Sequence, residues 1–137
     1  YYTCVNSYLL ADELAYILNN SESKLLITSR SKKDVALQAL KQCPNVTLCR
    51  VVDGDPADPA HPDFATAVAA FPPTPIADKA LGTPMLYSSG TTGRPKGILR
   101  PLPENPPSEP LPLYTFLDKL WRYRDDMIYL SPAPLYH

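Results

Sequence analysis

The stretch "KLLITSRSKKDVALQALKQCPNVTLCRVV", residues 24–52, decides the fold that the sequence predicts. Residues 24–28 form a short apolar run after a polar turn, which predicts a buried strand. Residues 46–52 are rich in β-branched side chains and predict a second strand, and residues 31–43 between them predict a helix. A strand, a helix and a strand within about thirty residues are typical of a parallel βαβ unit, so we expect an α/β fold.

The bounds of the predicted helices follow from local signals. We expect the helix at 31–43 to begin at a capping box formed by Ser31 and Asp34 and to stop before Pro44. An earlier helix is predicted at residues 11–20 from apolar residues at the spacing of one helical face. These apolar residues are Leu10, Leu14, Ile17 and Leu18.

Further elements are predicted downstream of the βαβ unit. Residues 64–71 predict a short helix, and residues 126–132 predict a last strand. Residues 113–123 predict a helix with an apolar stripe formed by Leu113, Phe116, Leu117 and Leu120. We therefore expect a partial parallel sheet with covering helices, as an excerpt of a larger multi-layered domain.

Composition excludes several classes of function. The formal net charge of the 137 residues is -1, which argues against a nucleic-acid partner. No apolar run reaches the roughly 18 residues of a membrane span, and the start lacks a signal-peptide pattern, although peripheral membrane contact stays open. The three cysteines contain no CxxC pair, so we expect reduced thiols and a cytoplasmic location.

The stretch "MLYSSGTTGRPKGIL", residues 85–99, concentrates the features of a phosphate-binding loop. Its glycines allow backbone conformations and close approaches that other residues do not. The serine and threonine hydroxyls can donate hydrogen bonds to phosphate oxygens, and one lysine supplies a positive charge. The candidate phosphate-binding residues are Ser88, Ser89, Gly90, Thr91, Thr92, Gly93 and Lys96, and Gly97 is a further glycine with this backbone freedom.

This loop does not fit the common pattern G-x-x-x-x-G-K-[ST]. Pro95 stands where the second glycine belongs, and Gly97 rather than Ser or Thr follows Lys96. Strands predicted at residues 83–89 and 97–100 flank the loop, so no helix dipole helps it. A solvent-exposed hairpin loop without a ligand is the alternative that composition alone leaves open.

The order of residues in "YSSGTTGRPKG", residues 87–97, resembles the signature of the adenylate-forming superfamily, which contains acyl-CoA synthetases, luciferases and peptide-synthetase adenylation domains. The flanking stretches at residues 5–28 and 126–137 also resemble that superfamily, whereas the proline-rich residues 101–112 do not. The "LSPAPLYH" ending is more similar to fatty-acid and aryl-acid CoA ligases than to peptide-synthetase domains.

The resemblance implies an ATP-dependent acid–CoA ligase. In such an enzyme a carboxylic acid, here expected to be a fatty acid, attacks the α-phosphate of ATP to form an acyl-adenylate, and CoA then takes the acyl group. The implied cofactors and substrates are ATP, Mg²⁺, CoA and the acid. Residues 88–93 and Lys96 would hold the β- and γ-phosphates, while Tyr136 and His137 would border the acyl pocket.

The same resemblance divides the chain into four segments. These are a βαβ-like unit at 1–54, a proline-rich connection at 55–82, a strand–phosphate loop–strand unit at 83–100, and a proline-rich excursion, helix and strand at 101–137 that end at the substrate-pocket turn. Neither a catalytic residue nor a metal ligand is predicted in the chain, and we expect the 137 residues alone to be inactive.

Alternatives remain at this point. A luciferase-like or peptide-synthetase adenylation domain belongs to the same superfamily, and a non-catalytic nucleotide-binding or interaction module belongs to another class. Acyl chain length and oligomeric state are open. We interpret the run of Asp53, Asp55 and Asp58 as a solvated turn rather than a metal loop, and His61 as an exposed loop residue.

Overall fold

The computed structural model describes residues 1–88, 93–130 and 132–133. Within that part there are four α-helices and four strands, and the strands form two small sheets. The helices are α1 (Ala11–Asn20), α2 (Lys33–Leu40), α3 (Phe64–Ala69) and α4 (Pro112–Trp121). The strands are β1 (Leu25–Ser29), β2 (Leu48–Val52), β3 (Leu86–Ser88) and β4 (Lys96–Ile98).

Strands β1 and β2 are parallel, with Leu25 opposite Leu48 and Ser29 opposite Val52, and α2 connects them. This arrangement confirms the predicted βαβ unit and the α/β fold class. Strands β3 and β4 form an antiparallel ribbon instead, with Leu86 opposite Ile98. The division of the chain into four segments stays a prediction.

Helix α1 begins where a glutamate side chain caps it. The backbone N–H of Leu10 donates to Oε2 of Glu13 at 2.8 Å, which satisfies one donor at the helix start. The capping box predicted for α2 is wrong, because Ser31 lies in a short 3₁₀ turn, Arg30–Lys32, that precedes the helix. The Ser31 hydroxyl pairs with that of Ser29 at 3.0 Å instead.

The core lies between helices α1 and α2 and one face of the parallel sheet. Leu14 and Leu18 from α1 pack with Leu26 of β1 and Ala39 of α2. Leu10 was predicted to join this face, but it precedes the helix and is 71% exposed. The opposite face of the sheet is exposed in this chain, so the predicted burial of β1 is wrong for two of its three apolar side chains. The exposed apolar residues of that face are Leu25, Ile27, Leu48 and Val52.

Replacing Leu14 by Ala in the full-length protein is expected to lower the free energy of unfolding by about 2–5 kcal/mol, because it leaves a cavity in this core. Chemical denaturation measures the loss. Gln38→Ala on the exposed side of α2 is the matched control and should change stability by no more than about 0.5 kcal/mol. Equal stability of the Leu14→Ala variant and the parent would contradict the packing described.

The last part of the described chain is more open. Helix α4 begins with Pro112 and ends at Trp121, and the residue after it, Arg122, has a φ of 50°. Its predicted stripe is largely exposed in this chain, as the 60% exposure of Phe116 shows. The strand predicted at 126–132 is wrong for residues 126–130, which pair with no other described segment, and Ile128 is 100% exposed. No helix of the described residues is long and apolar enough to cross a membrane.

Candidate functional site

The ribbon formed by β3 and β4 carries the described part of the candidate loop. Its register places Ser88 opposite Lys96 and Tyr87 opposite Gly97. Side chains of directly opposed residues lie on the same face of a sheet, and neighbouring residues along a strand alternate between faces. Ser88 and Lys96 therefore share one face at the mouth of the loop, while Tyr87 and Gly97 share the other.

The face formed by Tyr87 and Gly97 is closely packed. A Cβ atom on Gly97 would lie 2.9 Å from Cζ of Tyr87 and 3.0 Å from its hydroxyl oxygen, and it would also meet the side chain of Met85. Glycine is needed here because the side chains of Met85 and Tyr87 approach closely, not because of an unusual backbone angle as the sequence suggested. At Gly93 the backbone angle is the reason, since its φ is 96° and the space around it is open.

Helix α1 holds this ribbon at two points. The Tyr87 hydroxyl donates to Oδ1 of Asn20 at 2.7 Å, and the Tyr16 hydroxyl donates to the carbonyl oxygen of Pro95 at 2.9 Å. The Arg94 guanidinium lies over the Tyr16 ring, 5.2 Å from its centre. Burial raises the pKa of the Tyr87 phenol, and the neighbouring Tyr16 raises it further, so Tyr87 remains a donor at neutral pH.

The start of the chain supports the other side of the ribbon. The backbone N–H of Met85 donates to the Tyr2 carbonyl oxygen at 2.9 Å, and the Thr3 hydroxyl donates to the Met85 carbonyl oxygen at 3.1 Å. The backbone N–H of Tyr2 donates to the carbonyl oxygen of Thr83 at 3.2 Å. The approach to β3 is thus fixed by hydrogen bonds to main-chain atoms of Thr83 and Met85, while Ser88 remains exposed.

The predicted site residues divide into two groups. Ser88 and Lys96 are exposed and lie side by side at the ends of β3 and β4, and Gly93 forms the bend before Arg94. Lys96 forms no ion pair with any residue that the structure describes. The other predicted residues lie outside the described residues: Ser89, Gly90, Thr91, Thr92, Tyr136 and His137.

Sequence reasoning missed the residues that support the loop. Tyr16 and Asn20 lie four positions apart on α1 and therefore on one side of it, next to the ribbon. Their partners are 79 and 67 residues away in the chain. The sequence showed only that two polar side chains lie beside the apolar face of α1. It did not indicate which residues they contact.

The acidic loop after β2 is the solvated turn that we predicted only in part, because Asp53 and Asp55 are exposed whereas Asp58 is partly buried. Asp58 accepts a hydrogen bond from Nζ of Lys33 at 2.6 Å and lies 3.2 Å from Nδ1 of His61. His61 is partly buried rather than exposed. Lys33 holds the pKa of the Asp58 carboxyl well below its usual range, while Asp58 raises the pKa of Lys33. No group of three or more potential metal-ligating residues occurs among the described positions.

Replacing Asp58 by Asn in the full-length protein is expected to lower its melting temperature at pH 7, because it replaces the carboxylate that pairs with Lys33 by an uncharged amide. A carboxyl with a depressed pKa stabilises the fold above its unfolded-state pKa and loses that contribution as the pH falls through the folded-state value. The difference between parent and variant should therefore shrink as the pH falls below 3.8, the ordinary pKa of this group. A difference that is independent of pH would contradict the ion pair.

Comparison with known proteins identifies the class of protein to which the chain belongs. The family described as AMP-binding enzyme matches residues 1–137, so the chain belongs to that family. This confirms the adenylate-forming superfamily that the loop sequence suggested.

Two proteins of similar sequence are named as CoA ligases. The chain is 28% identical over 145 aligned residues to crotonobetaine/carnitine–CoA ligase of Salmonella typhi, covering 97% of this chain and 26% of that protein. It is 33% identical over 106 residues to the ligase of the same name from Salmonella arizonae, covering 69% of this chain and 20% of that protein. The chain thus spans about a quarter of the length of these relatives.

A solved structure agrees with the sequence relatives. The anthranilate CoA ligase AuaEII, crystallised in complex with anthranoyl-AMP, superposes with a TM-score of 0.59 at 27% identity. The match covers 69% of this chain and 18% of the ligase. Part of an adenylate-forming ligase domain therefore shares the α/β arrangement described here.

Proposed function

We propose that the chain is part of an acid–CoA ligase, and that residues 88–93 and Lys96 bind the β- and γ-phosphates of ATP. The observation that carries the proposal is the pairing of Ser88 with Lys96 on the open face of the β3–β4 ribbon. One hydroxyl and one ammonium group stand together where the loop begins and ends. Membership of the AMP-binding enzyme family and the CoA-ligase activity of the named relatives support it.

The proposed reaction brings together two negatively charged groups. A carboxylate oxygen attacks the α-phosphorus of ATP, a new P–O bond forms, and the bond to the β-phosphate oxygen breaks to release pyrophosphate. The thiol of CoA then attacks the activated carbonyl, forms a thioester and releases AMP. Donors that are already in place when charge moves onto the leaving pyrophosphate lower the barrier without reorganisation.

In this scheme Lys96 supplies charge and the other loop residues supply hydrogen bonds. Lys96 is exposed, and its ammonium group is a compact charge suited to a terminal phosphate. Ser88, Ser89, Thr91 and Thr92 would donate through their hydroxyls. We assign these serines no covalent role.

Magnesium would neutralise phosphate oxygens in this reaction. The described residues contain no cluster of His, Cys, Asp and Glu that fits a metal ion. The donor set at Ser88 and Lys96 instead fits phosphate oxygens. We therefore assign this segment the task of holding the phosphates.

We propose a fatty acid as the carboxylic substrate, with Tyr136 and His137 bordering its pocket. The "PAPLYH" sequence supports this, and relatives named for crotonobetaine, carnitine and anthranilate widen the set of acids to be tested. We also propose a cytoplasmic location, which the three free cysteines support, since disulfides are rare in reducing compartments.

Acid-dependent exchange of labelled pyrophosphate into ATP tests the function. The full-length protein should catalyse it with a member of a panel of fatty acids, crotonobetaine, carnitine and anthranilate, and should form the acyl-CoA when CoA is added. ATP binding without exchange for any acid would favour a non-catalytic nucleotide-binding module. We expect the 137 residues alone to be inactive, and acyl-CoA made by that piece would contradict this.

A further inference from the structure

We propose that Tyr16 of α1 is a positioning residue for Lys96, so that helix α1 prepares the loop to receive the phosphates of ATP; this inference rests on the proposed function. Tyr16 lies in neither of the loop strands and is far from them in sequence. It nevertheless makes the contact with the residue that immediately precedes Lys96.

The contact acts on the one dihedral angle that is still free. The ring of Pro95 fixes its φ, so the orientation of the peptide between Pro95 and Lys96 depends on the ψ of Pro95. That peptide is planar, and its carbonyl oxygen accepts the Tyr16 hydroxyl at 2.9 Å. The hydrogen bond therefore fixes the orientation of the peptide unit that leads into Lys96.

Two further contacts keep Tyr16 and the loop together. Arg94 lies over the Tyr16 ring at 5.2 Å, within the usual range of a cation–π contact. Asn20, one turn further along α1, accepts the Tyr87 hydroxyl on the opposite strand. One side of α1 thus holds both strands of the ribbon, on either side of the loop.

Helix α1 is itself rigidly placed. Its other side contributes Leu14 and Leu18 to the core with α2 and β1. A loop held by such an element loses less backbone entropy on binding a ligand than a loop that must first be ordered. We therefore expect Tyr16 to affect the binding of phosphates and to leave the binding of the carboxylic acid unchanged.

Tyr16→Phe in the full-length protein tests the inference, because it removes only the hydroxyl and keeps the ring beneath Arg94. Losing one hydrogen bond that orders the loop should raise KM for ATP about three- to tenfold. Inhibition by pyrophosphate should weaken by a similar factor. KM for the acid and the affinity for AMP should stay at the parent values, and the melting temperature should fall only slightly, because one part-buried hydrogen bond is lost. Tyr8→Phe is the matched control, since Tyr8 is 84% exposed and lies outside the site, and it should behave as the parent.

Lys96→Ala, assayed in parallel, separates the two proposals. If Lys96→Ala loses pyrophosphate exchange while Tyr16→Phe keeps the parent KM for ATP, the role of Tyr16 is wrong and the proposed function stands. A Tyr16→Phe variant that raises KM for ATP and for the acid equally would also overturn the role. If Lys96→Ala retains full exchange, the proposed binding of phosphates by Lys96 fails, and the positioning role of Tyr16 fails with it.

Discussion

Lys96→Ala in the full-length protein is expected to reduce acid-dependent pyrophosphate exchange by about 100- to 1,000-fold, the usual cost of removing one group that stabilises the charge of a transition state. Lys96 lies on the exposed face of β4, opposite Ser88, so its charge is available to a ligand. The melting temperature should not change, because the side chain forms no ion pair within the described part of the chain.

Two matched variants sharpen this prediction. Lys79→Ala removes an exposed lysine from the connection at 55–82 and should leave exchange unchanged. Lys96→Arg keeps the charge but replaces a compact ammonium by a planar group, so we expect an activity between those of the parent and Lys96→Ala. Full exchange by Lys96→Ala would contradict a role for this residue in holding phosphates.

Gly97→Ala has the second large expected effect. Its new methyl group would lie within 3.0 Å of the Tyr87 ring and hydroxyl and would also meet the side chain of Met85, so these side chains must shift and the hydrogen bond from Tyr87 to Asn20 is disturbed. We expect overpacking to lower the free energy of unfolding by about 1–3 kcal/mol. Pyrophosphate exchange should fall at the same time, because the ribbon that carries Ser88 and Lys96 shifts from its place on α1.

A control and a double variant separate this clash from a general effect of alanine. Gly82→Ala should be tolerated, since the nearest atom to its new methyl is Cδ1 of Tyr2 at 3.7 Å, an ordinary contact. In a Tyr87→Ala background, Gly97→Ala should cost less stability, because the ring is gone and the new methyl then meets only the flexible end of Met85. Equal cost of Gly97→Ala with and without Tyr87 would show that the clash is not the cause.

The sequence was informative wherever structure depends on neighbouring residues. The apolar spacing of α1 and the β-branched run of β2 predicted those elements, because burial of one face shapes both patterns locally. The order of residues in the loop predicted the family. By contrast, the last strand was wrong for residues 126–130, since a strand needs a partner and apolar residues such as Ile128 do not reveal whether one is present.

The contacts that hold the site in place could not be predicted from the sequence, because they join segments that are far apart in the chain. Tyr16 and Pro95 are brought together by the packing of α1 on the sheet, and neither residue type is distinctive on its own. Gly97 was noticed, but for the wrong reason, because the close approach of Tyr87 depends on the register of β3 and β4. Local patterns predict elements, whereas contacts between distant segments require the fold.

A crystal structure of the full-length protein with a non-hydrolysable ATP analogue tests the central claim most directly. The account predicts β- and γ-phosphate oxygens at hydrogen-bond distance, about 3 Å, from Nζ of Lys96 and the hydroxyl of Ser88, with Tyr16 still bonded to the Pro95 carbonyl. A triphosphate bound elsewhere, with Lys96 directed into bulk solvent, would contradict it.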